Sequence, residues 1–374
     1  MKTLMITLEW NEKEPNAMHF RTEKIIDFVT RRDDDSCFVL FPSDRDSEEK
    51  KSEKINTIGI KVPIDIPFIR RIAYRKILAK RIKKLVKKIK PDLIYVSEAL
   101  STIAYKKDLD ALKIYDIIGL VNSESLRKGK DLVSRLKSRY FSHIEKKGAN
   151  YADYIFTVNK AHKREIQKFT DKPVIVFRDG VENYFLKSYN KEDSDKITVS
   201  FVGSIGKNRM TGIIRQIPRI VKKNQDILFR IIGDGLDLPL YKEMIKEAGC
   251  EDHVDFPGYI KHEKVSEYLK DSDICFSDDW SYIGFPTKVF EYMAMEKAVL
   301  VEDTPAVREI VKEGKNGFLY KDPKDFEKKL LLLASDKNLR DNLGKQAKKD
   351  IEENHTWKHR EKQFNQIIDK IKNG

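Results

Sequence analysis

Cysteine is scarce in this 374-residue chain: Cys37, Cys250 and Cys275 are all it has. Their odd number and wide spacing exclude a disulfide framework. His253 lies three residues after Cys250, yet no second cysteine pair completes a metal site. Reduced, buried thiols are expected. Long hydrophobic runs are missing too, since the apolar opening from Met1 to Leu8 is too short for a signal-peptide core and Glu9 interrupts it. No later stretch approaches the length of a membrane span, so the expected residence is cytoplasmic. No carboxylate cluster has metal-ligand spacing, and neither a metal nor any other cofactor is called for. The chain also lacks a short fixed-period repeat, a low-complexity segment and the aromatic-basic pattern of nucleic-acid modules. A basic nucleic-acid-binding protein is therefore the alternative reading, and nucleic acid is not an expected partner.

What is present is ample apolar and charged material. Hydrophobic residues make up 40% and charged residues 36% of the chain, which supports real cores under a heavily charged surface. At this length a single core stops growing, so two domains are the default. The formal charge of +13 points to an anionic partner: nucleic acid, a phospholipid surface or a phosphorylated small molecule. Charge alone does not choose among them, and solubility or thermal adaptation gives similar surfaces.

Short β-branched runs alternate with helical patterns. In the first half these are Thr3 to Leu8, Phe38 to Phe41, Leu93 to Val96, Lys113 to Tyr115 and Tyr154 to Val158. The second half restarts with Ile197 to Val202, Ile227 to Ile232, Val254 to Phe256, Asp273 to Phe276, Ala298 to Val301 and Phe318 to Tyr320. The pattern predicts an α/β chain with two Rossmann-like, doubly wound parallel sheets. The charged stretch Lys187 to Lys196 reads as the linker, giving domains at 1–186 and 197–354. A final amphipathic helix from Trp357, with Phe364, Ile367, Ile368 and Ile371 on one face, needs a surface to cover, and 355–374 is expected to return to the first domain. Arg70 to Lys90 holds eleven basic residues and no acidic one, with Ile72, Ile77, Leu78, Ile82, Leu85, Val86 and Ile89 at helical spacing. It reads as a crossover helix with a solvated basic face, or as a helix whose basic face meets an anionic membrane carrying a lipid acceptor.

The segment Gly284-Phe285-Pro286-Thr287-Lys288-Val289-Phe290-Glu291-Tyr292 carries the chemistry. Pro286 suits a first helical turn. A helix start after a glycine loop offers backbone N–H groups and a positive dipole end to a phosphate, and Lys288 adds a full charge. Glu291 follows by three residues on the same face, where a carboxylate can accept from both hydroxyls of a ribose. An ordinary intrahelical Lys–Glu pair is the competing account.

This segment resembles the donor motif of the group 1, retaining glycosyltransferases in its Pro-Ser/Thr-Lys-x-Phe/Leu-Glu-Tyr form. Other segments follow in that family's order: Phe201-Val202-Gly203-Ser204-Ile205 with Lys207 or Arg209 near its phosphate-binding basic residue, Ile231-Ile232-Gly233-Asp234-Gly235, and Val254 to Ile260, whose backbone reads the base. The resemblance implies a GT-B fold with two domains facing a cleft, and transfer of a hexosyl-type sugar from a nucleoside-diphosphate sugar, with retention and without metal. The product belongs to glycan, glycolipid or cell-surface polysaccharide synthesis, on a glycan or lipid-linked acceptor, the enzyme being cytoplasmic or peripheral on the inner membrane face. A sugar-nucleotide epimerase on the same fold is a closer rival. The implied catalytic residues are Lys288, Arg209 and Lys207. The implied donor contacts are Gly203, Ser204, Gly233, Gly235, Tyr259, Ile260, Gly284, Phe285, Pro286, Thr287 and Glu291. Where the family has a second Glu this chain has Ile283, and sugar contact is expected from the Gly284 and Phe285 N–H groups or from Asp278 or Asp279. On the acceptor side His19 and Asp116 are candidates, with structural roles for both as the competing account.

Overall fold

The computed structural model describes residues 1–7, 17–32, 35–43, 46–61, 79–97, 111–120, 132–187, 189, 194–206, 210–278 and 286–373. Two units emerge, Met1–Arg178 with Glu361–Gly374, and Asp179–Arg360.

Among the described residues the first unit carries the strands β1 (Lys2–Ile6), β2 (Ser36–Ser43), β3 (Ser47–Lys50), β4 (Ile55–Lys61), β5 (Leu93–Val96), β6 (Leu112–Ile117), β7 (Tyr154–Thr157) and β8 (Val174–Val176). They form one sheet in the order β3-β4-β2-β1-β5-β6-β7-β8. Pairing is parallel except for β3, which runs antiparallel to β4. From β4 to β7 this is the doubly wound order, reversing between β1 and β5. Residues 79–89 form a helix. Ile82, Val86 and Ile89 are buried in one core with Leu4, Ile6, Leu40, Ile94 and Val96 of the sheet. The apolar stripe is thus a crossover face packed on strands, while Lys80, Arg81, Lys83, Lys84, Lys87 and Lys88 stay exposed. Two of these cations are paired with acids from the β3 region, Arg81 with Asp46 at 2.6 Å and Lys88 with Glu48 at 3.4 Å. The part of the expected helix before residue 79 lies outside the described residues.

In the second unit β9 (Ile197–Val202), β10 (Ile227–Ile232), β11 (Val254–Gly258), β12 (Ile274–Ser277), β13 (Ala298–Glu302) and β14 (Phe318–Tyr320) form an all-parallel sheet in the order β11-β10-β9-β12-β13-β14. The order reverses between β9 and β12. Side chains alternate between two cores, as strand geometry requires: Ile274, Phe276, Ala298 and Leu300 enter one, Cys275, Val299 and Val301 the other. Burial on both faces explains the unbroken apolar runs. Within β9 the buried Ser200 Oγ meets Ser272 Oγ at 2.6 Å, so this hydroxyl is not left unpaired in the core.

The division at Arg178/Asp179 falls ahead of the linker expected at 187–196. The reason is packing: Val181 and Phe185 are buried in the second unit's core with Phe290 and Tyr292, and Val181 N–H donates to His355 O. The helix Trp357–Asn373 joins the first unit from Glu361 rather than from 355. There Phe364 and Ile368 are fully buried, and Phe364 lies 5.9 Å from Phe28 and 6.1 Å from Phe177. Arg32 donates to Asn365 at 2.9 Å.

All three cysteines are free and buried, and burial pushes the Cys37 and Cys275 thiols up to about 12. For Cys275 burial outweighs the opposing charge of Lys297. No helix among the described residues is long and apolar enough to cross a membrane.

Candidate functional site

Ligands of open parallel sheets lie beyond the carboxyl ends of the strands, at the point where the order reverses. In the second unit that point lies between β9 and β12, and the motifs singled out from the sequence gather around it. Past β9 and β10 the strand ladder continues into the glycine loops: Gly203 N–H donates to Ile232 O at 3.0 Å, Ile205 N–H to Asp234 O at 2.9 Å, and Gly233 N–H to Gly258 O at 2.8 Å. The glycines make this possible. Gly233 has φ +145°, and a Cβ there would stand 1.9 Å from Gly203 O; Gly235 has φ +154°, and its Cβ would stand 2.1 Å from Ile205 O. Both positions are reserved for glycine by conformation and by the neighbouring backbone. At these two glycines one loop approaches the backbone of the other.

Gly203 does something different. Its φ is +152°, and a Cβ would lie 2.6 Å from Lys288 Nζ. The missing side chain leaves room for the Lys288 ammonium, which sits 4.1 Å from the centroid of the buried Phe201 ring. Lys288 opens the helix Lys288–Ala294, whose Val289, Phe290, Tyr292, Met293 and Ala294 are buried. That helix is tied to the end of β9 because Val202 N–H donates to Tyr292 Oη at 2.8 Å. Pro286 stands two residues before the helix rather than in its first turn. Its carbonyl accepts from Val289 N–H and the Thr287 carbonyl from Phe290 N–H, both at 2.9 Å. Two N–H groups of the expected phosphate seat are therefore already engaged.

Glu291 is mostly buried, and it turns to His262 rather than to Lys288. Its Oε1 lies 2.7 Å from His262 Nε2, and His262 Nδ1 lies 2.9 Å from the Tyr184 hydroxyl. Burial opposes protonation of His262, but the bond and charge of Glu291, with the charges of Glu182 and Glu263, hold its pKa above the ordinary value. Burial, followed by the Glu291 charge, raises Tyr184. His262 and Tyr184 escaped the sequence reading, since separations of 29 and 78 residues leave no local pattern. Ser204 is exposed at the loop, Ile260 packs against the core, and Tyr259 is 71% exposed just after β11. Asp278 accepts from the Tyr320 hydroxyl at 3.4 Å. Lys207, Arg209, Asp279, Ile283, Gly284 and Phe285 lie outside the described residues.

In the first unit the acceptor candidate Asp116 lies buried in an ion pair with Arg21. It is 0% exposed, receives Arg21 Nε at 2.7 Å and Nη2 at 3.0 Å, and accepts from the Tyr95 hydroxyl. Arg21 also donates to Phe177 O at 2.9 Å and lies over the Phe177 ring. His19 is buried too, with Nε2 3.2 Å from Glu23 one turn along the helix Ala17–Thr30.

The architecture is that of a two-unit α/β protein whose second sheet carries a glycine-lined edge with a lysine at its topological switch point. Residues 185–350 match the family described as glycosyl transferases group 1, and residues 24–124 match glycosyl transferase 4-like. An uncharacterized glycosyltransferase of Methanocaldococcus jannaschii is 27% identical over 236 residues, 59% of each chain. The alpha-monoglucosyldiacylglycerol synthase of Acholeplasma laidlawii is 21% identical over 299 residues, 72% of this chain and 73% of that one. The chain spans 59%, 46% and 63% of the length of three curated relatives it matches. Among solved structures, sucrose-phosphate synthase from Thermosynechococcus elongatus superposes with a TM-score of 0.80 at 13% identity, covering 99% of this chain and 98% of that one. Anabaena HepE in complex with UDP gives 0.76 at 15%, covering 99% and 100%. The solved structures share the GT-B fold, and the match to the group 1 family lies wholly within the second unit.

Proposed function

We propose that the chain transfers a sugar from a nucleoside-diphosphate sugar to an acceptor hydroxyl, with retention and without a metal. The observation that carries this reading is the convergence of Lys288 with the Gly203, Gly233 and Gly235 loops at the switch point, within the segment matching the group 1 family. The acceptor oxygen attacks the anomeric carbon from the face that the diphosphate leaves. The bond from that carbon to the phosphate oxygen breaks, and the acceptor proton passes to a departing phosphate oxygen. Lys288, with Lys207 or Arg209, stabilises the charge growing on the diphosphate, a preorganised electrostatic contribution. Glu291 holds the ribose, and Tyr259 and Ile260 border the base. The UDP complex of Anabaena HepE supports uridine as the nucleoside to test first.

The test is calorimetric titration of UDP and 2′-deoxy-UDP against the native chain and Glu291→Gln. The substitution should weaken UDP binding by roughly 1.5–3 kcal/mol for each charge-assisted hydrogen bond lost, and should cost the deoxy form less. Equal losses remove Glu291 from the ribose. Turnover of UDP-sugars without epimerised product separates transfer from epimerisation.

A glycolipid acceptor at an anionic membrane surface is the finer reading, supported by the exposed Lys80, Lys84 and Lys87 and by the lipid-glucosylating relative. Charge reversal at those three lysines should weaken binding to anionic vesicles and leave donor hydrolysis intact. No vesicle binding by the native chain reduces this helix to a solvated crossover.

A further inference from the structure

The Glu291 carboxylate is held by a chain of two side chains from different parts of the second unit. His262 comes from the 3-10 turn His262–Lys264 after β11, and Tyr184 from the turn Asn183–Leu186. Nε2 of the ring faces Glu291 Oε1 at 2.7 Å and Nδ1 faces the Tyr184 hydroxyl at 2.9 Å. Tyr184 is itself anchored, since its carbonyl accepts from the Tyr189 hydroxyl at 2.7 Å. The Phe185 ring lies 5.6 Å from the imidazole.

A neutral imidazole has one N–H and one bare nitrogen, and the partner of one nitrogen decides the state of the other. Glu291 Oε1 is an acceptor, so it requires a proton on Nε2. A phenol can donate, and a phenol that donates to Nδ1 requires that nitrogen to be bare. We propose that His262 is a positioning residue for Glu291 and that Tyr184, by donating to Nδ1, fixes the ring tautomer that keeps the Nε2 proton on the carboxylate. This inference rests on the reading of Glu291 as the ribose ligand.

The consequence is that Glu291 keeps its partner whether the ring is charged or neutral. The protonated ring donates from both nitrogens, and the neutral ring, held by Tyr184, still donates to Glu291. Burial keeps the proton on Tyr184. The groups whose charges act on the ring are Glu291, Glu182 just before the Tyr184 turn, and Glu263 beside it in the chain. Without the tyrosine the neutral ring can take the other tautomer, turn a bare Nε2 toward the carboxylate and release it.

The readout is the ratio of UDP to 2′-deoxy-UDP affinity, which cancels charge effects on the diphosphate common to both. In the native chain the ratio should stay level from acidic to alkaline pH. Tyr184→Phe should match it at acidic pH and lose ribose preference as pH rises through the His262 titration. His262→Ala should lower the ratio about tenfold at every pH, as expected when a charge-assisted hydrogen bond no longer orients the carboxylate. His262→Gln, which can still present an amide N–H, should recover part of that loss, and thermal melts of each variant verify folding. A level profile for Tyr184→Phe, or full ribose preference in His262→Ala, overturns the inference while Glu291→Gln still costs UDP more affinity than it costs 2′-deoxy-UDP. If Glu291→Gln costs the two nucleotides equally, the ribose reading itself fails.

Discussion

Replacing Gly233 with Ala tests whether the glycine loops are built for each other. The added Cβ would stand 1.9 Å from Gly203 O, a rigid backbone atom, at φ +145°. Strain in that region costs about 1–3 kcal/mol. Relieving the overlap must also separate the loops, breaking the Gly203 N–H bond to Ile232 O and the Ile205 N–H bond to Asp234 O. At about 0.5–1.5 kcal/mol each, these bring the expected loss to roughly 2–6 kcal/mol. Gly249 supplies the control, because it has φ +63° but nothing within 4 Å of its Cβ position. Gly249→Ala should therefore cost only the left-handed strain, about 1–2 kcal/mol. Urea unfolding followed by a probe in the second unit gives both numbers, and UDP titration reports whether the loop edge survives. If Gly233→Ala is no more destabilising than Gly249→Ala, the backbone contact does not hold the edge together.

Lys288→Ala should lower turnover about 10²–10³-fold while costing the fold only about 0.5–1 kcal/mol from its contact with Phe201, as steady-state rates and melts of one preparation will tell. Gly203→Ala crowds the flexible end of Lys288, so it should impair turnover more than Gly249→Ala at similar stability. Asp116→Asn leaves Arg21 buried without its anion and should destabilise the first unit by about 3–5 kcal/mol, while acceptor preference in the surviving folded protein stays unchanged. A shifted acceptor preference returns Asp116 to the site. The folded pKa of His262 lies above its ordinary 6.5, so protonation favours the native state. That contribution is complete below about pH 6.5 and disappears as pH rises through the folded value. Melts of the native chain and His262→Gln should accordingly converge toward alkaline pH, and divergence there refutes the sign.

Periodicity and motif order made the second unit legible before any coordinates. Each of its strands was expected at its place, most of them because strands buried on both faces are largely apolar runs. The first unit was read less completely. The exposed, acidic edge strand β3 and the mixed β4 with Gly59 inside it carry no such run, and the short β8 was not singled out. The final helix announced its apolar face, and the fold supplied the Phe28 and Phe177 rings that cover it.

At the site the division follows the range of the interactions. Sequence by itself determined that a lysine and a glutamate share a short helix after a parallel strand, and that glycines end the strands before it, since these depend on neighbours a few residues apart. Only the tertiary structure decided what those residues meet. It turned Asp116 inward onto Arg21, set Lys288 over Phe201 in the space Gly203 leaves, and brought His262 and Tyr184 to Glu291. Hydrogen bonds and close backbone contacts are decided by distances of a few tenths of an ångström between segments far apart in the chain, and no local pattern of residues encodes them.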